Sequence, residues 1–226
     1  MSRTASRSAS WLPASGGEWA LLAALAASYP ASLVLPAAWS REGGPLESLQ
    51  VTVLGAGCVL ALLMYLRSRP ARVAILALWA APVWLLLAGR ELSWGKAWLL
   101  QPGSQAMAVT AHWIAPLARP AAVVLLAWLV LSAWQYRIDG PVRAAFARRV
   151  PWLCLLVMLA GAMGSTCAEG HMSCHLDLAA SSAQLFEEFC ELLAYVALCM
   201  TQHVVFTHQT PVRLAPTIAH PVEEVG

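Results

Sequence analysis

Six long apolar segments restrict what this chain can fold into. They cover residues 19–39, 46–66, 73–89, 114–134, 150–167 and 185–206. Most are near the length of about 20 residues with which an α-helix crosses the hydrocarbon of a bilayer. We therefore predict an all-α, polytopic membrane helix bundle of about six transmembrane helices.

The charged fraction supports this class, because 12% of the residues are charged whereas a soluble domain carries about 25%. The net charge of +2 gives no indication of nucleic-acid binding. The expected partner is the lipid bilayer, with a homo-oligomer or a membrane complex as a further option. The bias toward Ala, Arg and Leu, with Lys96 as the single Lys, is typical of a GC-rich bacterial genome.

The first apolar segment raises the question of a signal peptide, because Arg3 and Arg7 precede it. Its length favours a retained span. We divide the chain into a disordered N-terminal segment at 1–17, a single transmembrane domain at 18–208 and a flexible C-terminal tail at 209–226.

The distribution of arginines sets the predicted orientation, since cytoplasmic loops carry an excess of Arg and Lys. Arginines fill the connections after the second and the fourth segments: Arg67, Arg69, Arg72, Arg137, Arg143, Arg148 and Arg149. The connection 168–183 has neither Lys nor Arg. We therefore predict a bacterial inner-membrane protein with both termini cytoplasmic, in which the third segment ends, and the sixth begins, on the outer side.

Charged residues concentrate at these two outer ends. Because an ionisable residue inside a membrane is costly, it is a functional-site hypothesis by default. On 185–206, polar residues recur at steps of three and four, which places Glu191 and Tyr195 on one helical face. The predicted charge cluster contains Arg90, Glu91, Ser93, Trp94, Lys96, His112, Glu187, Glu188, Glu191 and Tyr195.

Two interpretations of this cluster stay open. Arg90 paired with Glu191 would keep both groups ionised and fix the geometry of two helices without any chemistry. The carboxylates, however, exceed what one such pair requires, and they suit proton relay, cation coordination or acid–base work. His112 is either a ligand or proton shuttle of this pocket or an ordinary interfacial histidine.

The segment 92–107 is too short and too polar to span. Trp94, Trp98 and Leu99 fall at helical spacing, which favours an interfacial or re-entrant helix with Trp at the headgroup level. The fourth segment is expected to be interrupted near its start by Pro116 and Pro120.

The connection before the last segment carries Cys167, His171, Cys174 and His175. In an oxidising compartment, a Cys167–Cys174 disulfide is the simplest interpretation. His171 and His175 are weak metal-ligand candidates, since no standard metal or haem spacing matches. No cofactor is predicted, and a metal stays open. The other four cysteines are interpreted as packing residues.

The stretch Gly-Arg-Glu-Leu-Ser-Trp-Gly-Lys at 89–96 resembles a motif of uncharacterised bacterial multi-pass inner-membrane proteins. These carry Glu or Arg, then Glu, an aliphatic residue and Ser-Trp-Gly at the end of one span, with a Glu-rich start of a later span, as at 186–191. Many have a second acid where this chain has Arg90, which argues against a metal-type carboxylate pair here. The resemblance implies the pocket without naming its chemistry.

Three functions follow from these patterns. The first is an integral membrane protein whose charged outer-side pocket binds or moves a small solute, ion or lipid headgroup. The second is a structural subunit of a membrane complex, in which the charges only clamp helices. The third is a membrane-embedded, lipid-acting hydrolase or transferase that uses Glu191 or Glu187 with His112. No G-x-S-x-G, H-E-x-x-H or Walker sequence supports an enzyme.

Overall fold

A computed structural model of the protein describes residues 15–41, 44–68, 72–92, 105–146, 151–170, 174, 176 and 178–207. The helices are α1 Gly16–Val34, α2 Pro45–Ser68, α3 Arg72–Glu91, α4 Gln105–Gln135, α5 Asp139–Phe146, α6 Trp152–Ala168 and α7 Ala180–Thr207. A short 3₁₀ helix, Ala37–Ser40, follows α1. The all-α prediction is confirmed for these residues, which contain no strand.

Three helical segments are long and apolar enough to cross a membrane: Pro45–Arg67, Ala74–Glu91 and Ala180–Thr207. Shorter apolar helices cover Pro120–Gln135 and Trp152–Ala168. A helical protein with three candidate spans is therefore established for the described residues, while the count of six stays a prediction.

Helix α1 differs from the predicted first segment at both ends. Ser15 and Glu18 form a capping box, in which Glu18 Oε2 accepts from the Ser15 backbone N–H at 2.7 Å. This cap starts the helix at Gly16, so the helix includes two residues that the sequence assigned to the N-terminal segment. The helix ends at Val34, before Pro36, because the residue preceding a proline is disfavoured in helical geometry.

Helix α4 corrects two expectations. It runs without a break past Pro116 and Pro120, so the predicted interruption is wrong. A proline removes one backbone hydrogen bond, and the flanking turns continue the helix here, as they do at Pro30 and Pro82. Residues 105–107 belong to this helix, and the rest of the predicted interfacial segment beyond Leu92 lies outside the described residues.

Helix α7 is the centre of the bundle and packs against α1, α2 and α6. It is the most buried of the three candidate spans, because its polar stripe turns toward its neighbours. The contact with α6 is close at Gly161, where an added Cβ would lie 2.7 Å from the Cys190 carbonyl oxygen. Helix α3 packs on α2, and α4 packs on α3.

A neutral hydrogen-bonded bridge joins α2, α3 and α7 in the interior. Trp84 Nε1 donates to Gln202 Oε1 at 2.5 Å, and Gln202 Nε2 donates to the Gly57 carbonyl oxygen at 3.0 Å. Trp84 is buried against Leu54, Ala81 and Tyr195. We call this set the neutral bridge.

Four helices meet at a second place, which is nearer the start of α7 than the neutral bridge is. The N-terminal halves of α2 and α7 contact each other, and the last turns of α3 and α6 contact α7, through the side chains described below. At the opposite end of α7, Phe206 packs with Leu76 and Ile138. The end of the third predicted span and the start of the sixth therefore lie together, as the arginine distribution indicates.

Candidate functional site

The ion pair between Arg90 and Glu191 lies where α3 ends beside α7. Arg90 Nη2 is 2.5 Å from Glu191 Oε1, and the side chains are 54% and 10% exposed, respectively. The Ser165 hydroxyl, one turn before the end of α6, donates to the same oxygen at 3.1 Å. A nearly buried carboxylate thus receives one charged and one neutral donor from two other helices.

Tyr195 connects Glu91, the last residue of α3, to α7. Its hydroxyl donates to Glu91 Oε1 at 2.6 Å and accepts from Arg90 Nη1 at 3.4 Å. Tyr195 follows Glu191 by four residues, so both side chains project from one face of α7, as the polar stripe predicts. The structure therefore brings together four of the residues singled out from the sequence: Arg90, Glu91, Glu191 and Tyr195.

Glu188 faces α2 instead. Gln50 Nε2 donates to Glu188 Oε2 at 2.9 Å and to the Glu188 carbonyl oxygen at 3.0 Å. Gln50 is 0% exposed. Glu47 lies three residues earlier on α2 and is within electrostatic range of both Glu188 and Glu91.

Glu187 faces the turn that follows α6. Carboxylate oxygens of Glu169, Glu187 and Glu191 lie within 4.8 Å of one another, a spacing that a bound cation can bridge. Glu169 sits within the loop that Cys167 and Cys174 close as a disulfide, with Cα atoms 5.4 Å apart. From the sequence we interpreted this loop and the charge cluster as separate features, whereas they are neighbours in the fold.

Among the residues that the structure describes, carboxylates outnumber arginines at this end of the bundle. We use the name carboxylate cluster for Glu47, Glu91, Glu169, Glu187, Glu188 and Glu191. Arg90 makes its ion pair with Glu191, and one guanidinium neutralises one carboxylate. Acidic groups this close to each other and partly removed from solvent repel one another unless protons, cations or other donors separate them.

Several predicted site residues lie outside the described part of the chain. Ser93, Trp94 and Lys96 are among them, as are His171 and His175. The backbone of His112 belongs to α4, but its side chain is outside the described set. The acid–base partner that the enzyme interpretation requires is therefore not placed.

Sequence reasoning missed four contributors: Glu47, Gln50, Ser165 and Glu169. A usable signal existed for the first two. They lie three residues apart at the start of the second apolar segment, on the side that the predicted topology shares with Arg90. The rule that a polar stripe faces other helices, applied to α2 as it was to α7, would have included them.

Fold and site together define a class: a helical protein with three candidate membrane-spanning helices and a carboxylate cluster where four helix ends meet. Comparison with known proteins adds no narrower identity, since no family model, no curated protein and no solved structure matches the chain. The function is therefore argued from the cluster itself.

Proposed function

We propose that this protein is a bacterial inner-membrane protein of six spans whose outer-side pocket binds or moves a small cationic ligand. The ligand is an ion, a solute or a lipid headgroup that carries positive charge. The observation that carries the proposal is that three further carboxylates lie within electrostatic range of Glu191, which is already paired with Arg90: those of Glu91, Glu187 and Glu188.

The additional carboxylates lower the stability of the folded protein unless another group compensates their charge. Breaking or overloading a buried ion pair leaves uncompensated charge, and such charge is tolerated when something else compensates it. Glu187 and Glu188 are only partly exposed and lie on the same helix as Glu191. A bound cation would lower the electrostatic repulsion among these carboxylates. Binding such a ligand would therefore stabilise the folded protein.

The orientation rests on the arginine-rich connections and has its own test. Reporter fusions after Gly140 and after Gly170 should report opposite sides of the membrane, with Gly140 cytoplasmic. Helix α5, which contains Gly140, lies at the far end of the bundle from the turn at Gly170. Fusions that report the same side would remove the basis for an outer pocket.

Ligand binding is tested by thermal unfolding of the purified full chain in detergent. Calcium, magnesium, ethanolamine and choline are titrated separately, and phosphatidylethanolamine is compared with an uncharged lipid in nanodiscs. A ligand at 100 times its Kd stabilises the folded state by about 2.7 kcal/mol. We expect at least one of these classes to raise the melting temperature.

The matched control for this experiment is Asp139→Asn, which removes an exposed carboxylate in the first turn of α5. The stabilisation should persist in Asp139→Asn and disappear in the double variant Glu91→Gln/Glu188→Gln. Absence of any shift in the wild type, or equal shifts in both variants, would refute the binding function.

A structural role is the second candidate, and one observation favours it. The Arg90–Glu191 pair, with Ser165, joins α3, α6 and α7 through satisfied hydrogen bonds. A membrane-complex subunit would need no more than this. The double variant Arg90→Met/Glu191→Leu distinguishes the two roles, since a subunit should still assemble and complement a deletion strain, whereas a binding protein should fold and fail to do so.

A further inference from the structure

One acceptor in the carboxylate cluster's neighbourhood has no partner. The side-chain oxygen Oε1 of Gln50 is buried and makes no hydrogen bond to any described residue. Its amide nitrogen is fully used, since it donates to both the carboxylate and the carbonyl oxygen of Glu188. Reversing the amide would point its oxygen at two other acceptors, so the arrangement cannot be relieved by rotation.

Buried polar atoms are nearly always paired, so each exception in a folded protein calls for a physical reason. Here the surroundings offer acceptors and negative charge. Glu188 Oε2 is already bonded to the Gln50 amide, and Glu47 and Glu91 are within electrostatic range of Glu188. The missing group is therefore a donor or a cation rather than another oxygen.

We infer that a hard divalent cation, of the magnesium or calcium class, binds between α2 and α7 with Gln50 Oε1 and the Glu188 carboxylate as protein ligands. Amide and carboxylate oxygens are the ligands such ions prefer, and water completes their coordination. The neighbouring Glu91 contributes negative potential. This inference rests on the proposed function and specifies its ligand.

Two carboxylate subsites compete for such an ion. Glu169, Glu187 and Glu191 offer closely spaced oxygens, but Glu191 is already paired with Arg90 and Glu169 is exposed. The α2–α7 subsite differs in that a fully buried acceptor there is unpaired. The unpaired oxygen of Gln50 therefore favours cation binding at Glu188 over binding at the other subsite.

The experiment measures Mn²⁺ binding to the chelator-treated full chain in detergent by electron paramagnetic resonance, with Ca²⁺ and Mg²⁺ as competitors. Gln50→Met removes the unpaired oxygen at similar side-chain length. Gln184→Met is the control, since the Gln184 amide likewise donates to a neighbouring element, through one hydrogen bond of 3.0 Å to the Ser40 carbonyl oxygen. Glu188→Gln is the second variant. It keeps a side-chain oxygen that can accept a hydrogen bond and removes the negative charge.

We expect saturable Mn²⁺ binding that weakens by about tenfold or more in Gln50→Met and in Glu188→Gln, because even outer-shell partners of metal ligands change affinity by about 10–100-fold. Gln184→Met should bind as the wild type does. If Gln50→Met does not fold, Glu188→Gln alone decides.

Three results would overturn the inference. Mn²⁺ affinity that depends on Glu169→Gln and Glu187→Gln but not on Gln50 would place the ion at the other subsite. Stabilisation by ethanolamine or choline without Mn²⁺ binding would refute the metal site but not the proposed binding of a cationic ligand. Failure of every cationic ligand to bind would remove both.

Discussion

The interior holds two polar regions, and they are built on different principles. In the neutral bridge, the donors of Trp84 and Gln202 meet the acceptors of Gln202 and Gly57 one for one. In the carboxylate cluster, carboxylates outnumber the described arginines, and beside it Gln50 Oε1 accepts no hydrogen bond from a described residue. Both regions join α2, α3 and α7, and the carboxylate cluster also contacts α6 through Ser165.

This difference separates what the fold needs from what a ligand needs. A satisfied neutral bridge fixes helix positions at little electrostatic cost. A cluster with surplus negative charge lowers stability by itself, and a fold that retained it for packing alone would gain by losing it. The comparison therefore assigns helix positioning mainly to the neutral bridge and ligand binding to the carboxylate cluster.

The largest expected effect comes from breaking the Arg90–Glu191 pair. Losing one partner of a buried pair costs about 3–5 kcal/mol, and Arg90→Met should lie toward the lower end, because Arg90 is half exposed. Glu191→Leu should cost less, since the remaining guanidinium can turn outward. The double variant should recover much of the loss in a detergent melt.

Arg67→Ala is the control for this series, because Arg67 is an exposed residue in the last turn of α2. If Arg90→Met and Arg67→Ala lower the melting temperature equally, the pair contributes nothing to the fold. If the double variant is less stable than both single variants, the two residues contribute to stability separately. The charged region could then not be compared with the neutral bridge as a paired set of groups.

The next effect tests the neutral bridge through two glycines on α2. A Cβ added at Gly57 would lie 2.5 Å from the Trp84 ring, whereas nothing lies within 4 Å of one added at Gly55. Gly57→Ala must displace the indole and should cost about 1–3 kcal/mol, as overpacked cores do. Gly55→Ala should be neutral or stabilising by about 0.5–1 kcal/mol.

The measurement is again thermal unfolding, with Mn²⁺ binding as a second readout. Gly57→Ala should lower stability and leave Mn²⁺ affinity within about twofold, because the described hydrogen bonds of Gly57 and Trp84 go to Gln202 and not to Gln50 or Glu188. A parallel loss of affinity would show that the two regions act as one network, which would refute the division of roles drawn above.

The sequence was sufficient for α2 and α3 and for most of the site. Apolar segments placed α2 and α3 within two residues of their observed bounds, because a hydrophobic run of span length has one stable form in a bilayer. The period of three and four placed Glu191 and Tyr195 on one face. The charge distribution placed Arg90 at the same end.

The assignment of partners to the missed residues depended on helix rotation. A helix that is apolar on most faces does not reveal which side meets its neighbour, so Gln50 could not be assigned to Glu188 from spacing alone. Glu169 was missed for another reason. It lies two residues beyond the predicted end of the fifth apolar segment, but helical geometry continues through it. Its backbone N–H donates to the Ser165 carbonyl oxygen, which places Glu169 one turn after Ser165 and near Glu187.

The smallest expected effect concerns a second ion pair, which serves as the exposed counterpart of the first. Arg143 and Asp139 lie four residues apart on α5, 3.9 Å from each other, with side chains 83% and 63% exposed. Exposed pairs at this spacing contribute about 0.3–0.5 kcal/mol. Asp139 also stays favourable at the helix N-terminus without its partner.

Arg143→Ala should therefore shift the free energy of unfolding by less than about 0.5 kcal/mol and should shift it less still at high salt, because screening already weakens the pair. The same salt should leave the loss caused by Arg90→Met nearly unchanged, since Glu191 is largely shielded from solvent. Equal salt dependence of the two pairs would mean that Arg90 and Glu191 are solvated as Arg143 and Asp139 are. In that case the surplus of carboxylates would carry little energetic cost, and the argument that a cation must offset it would fall.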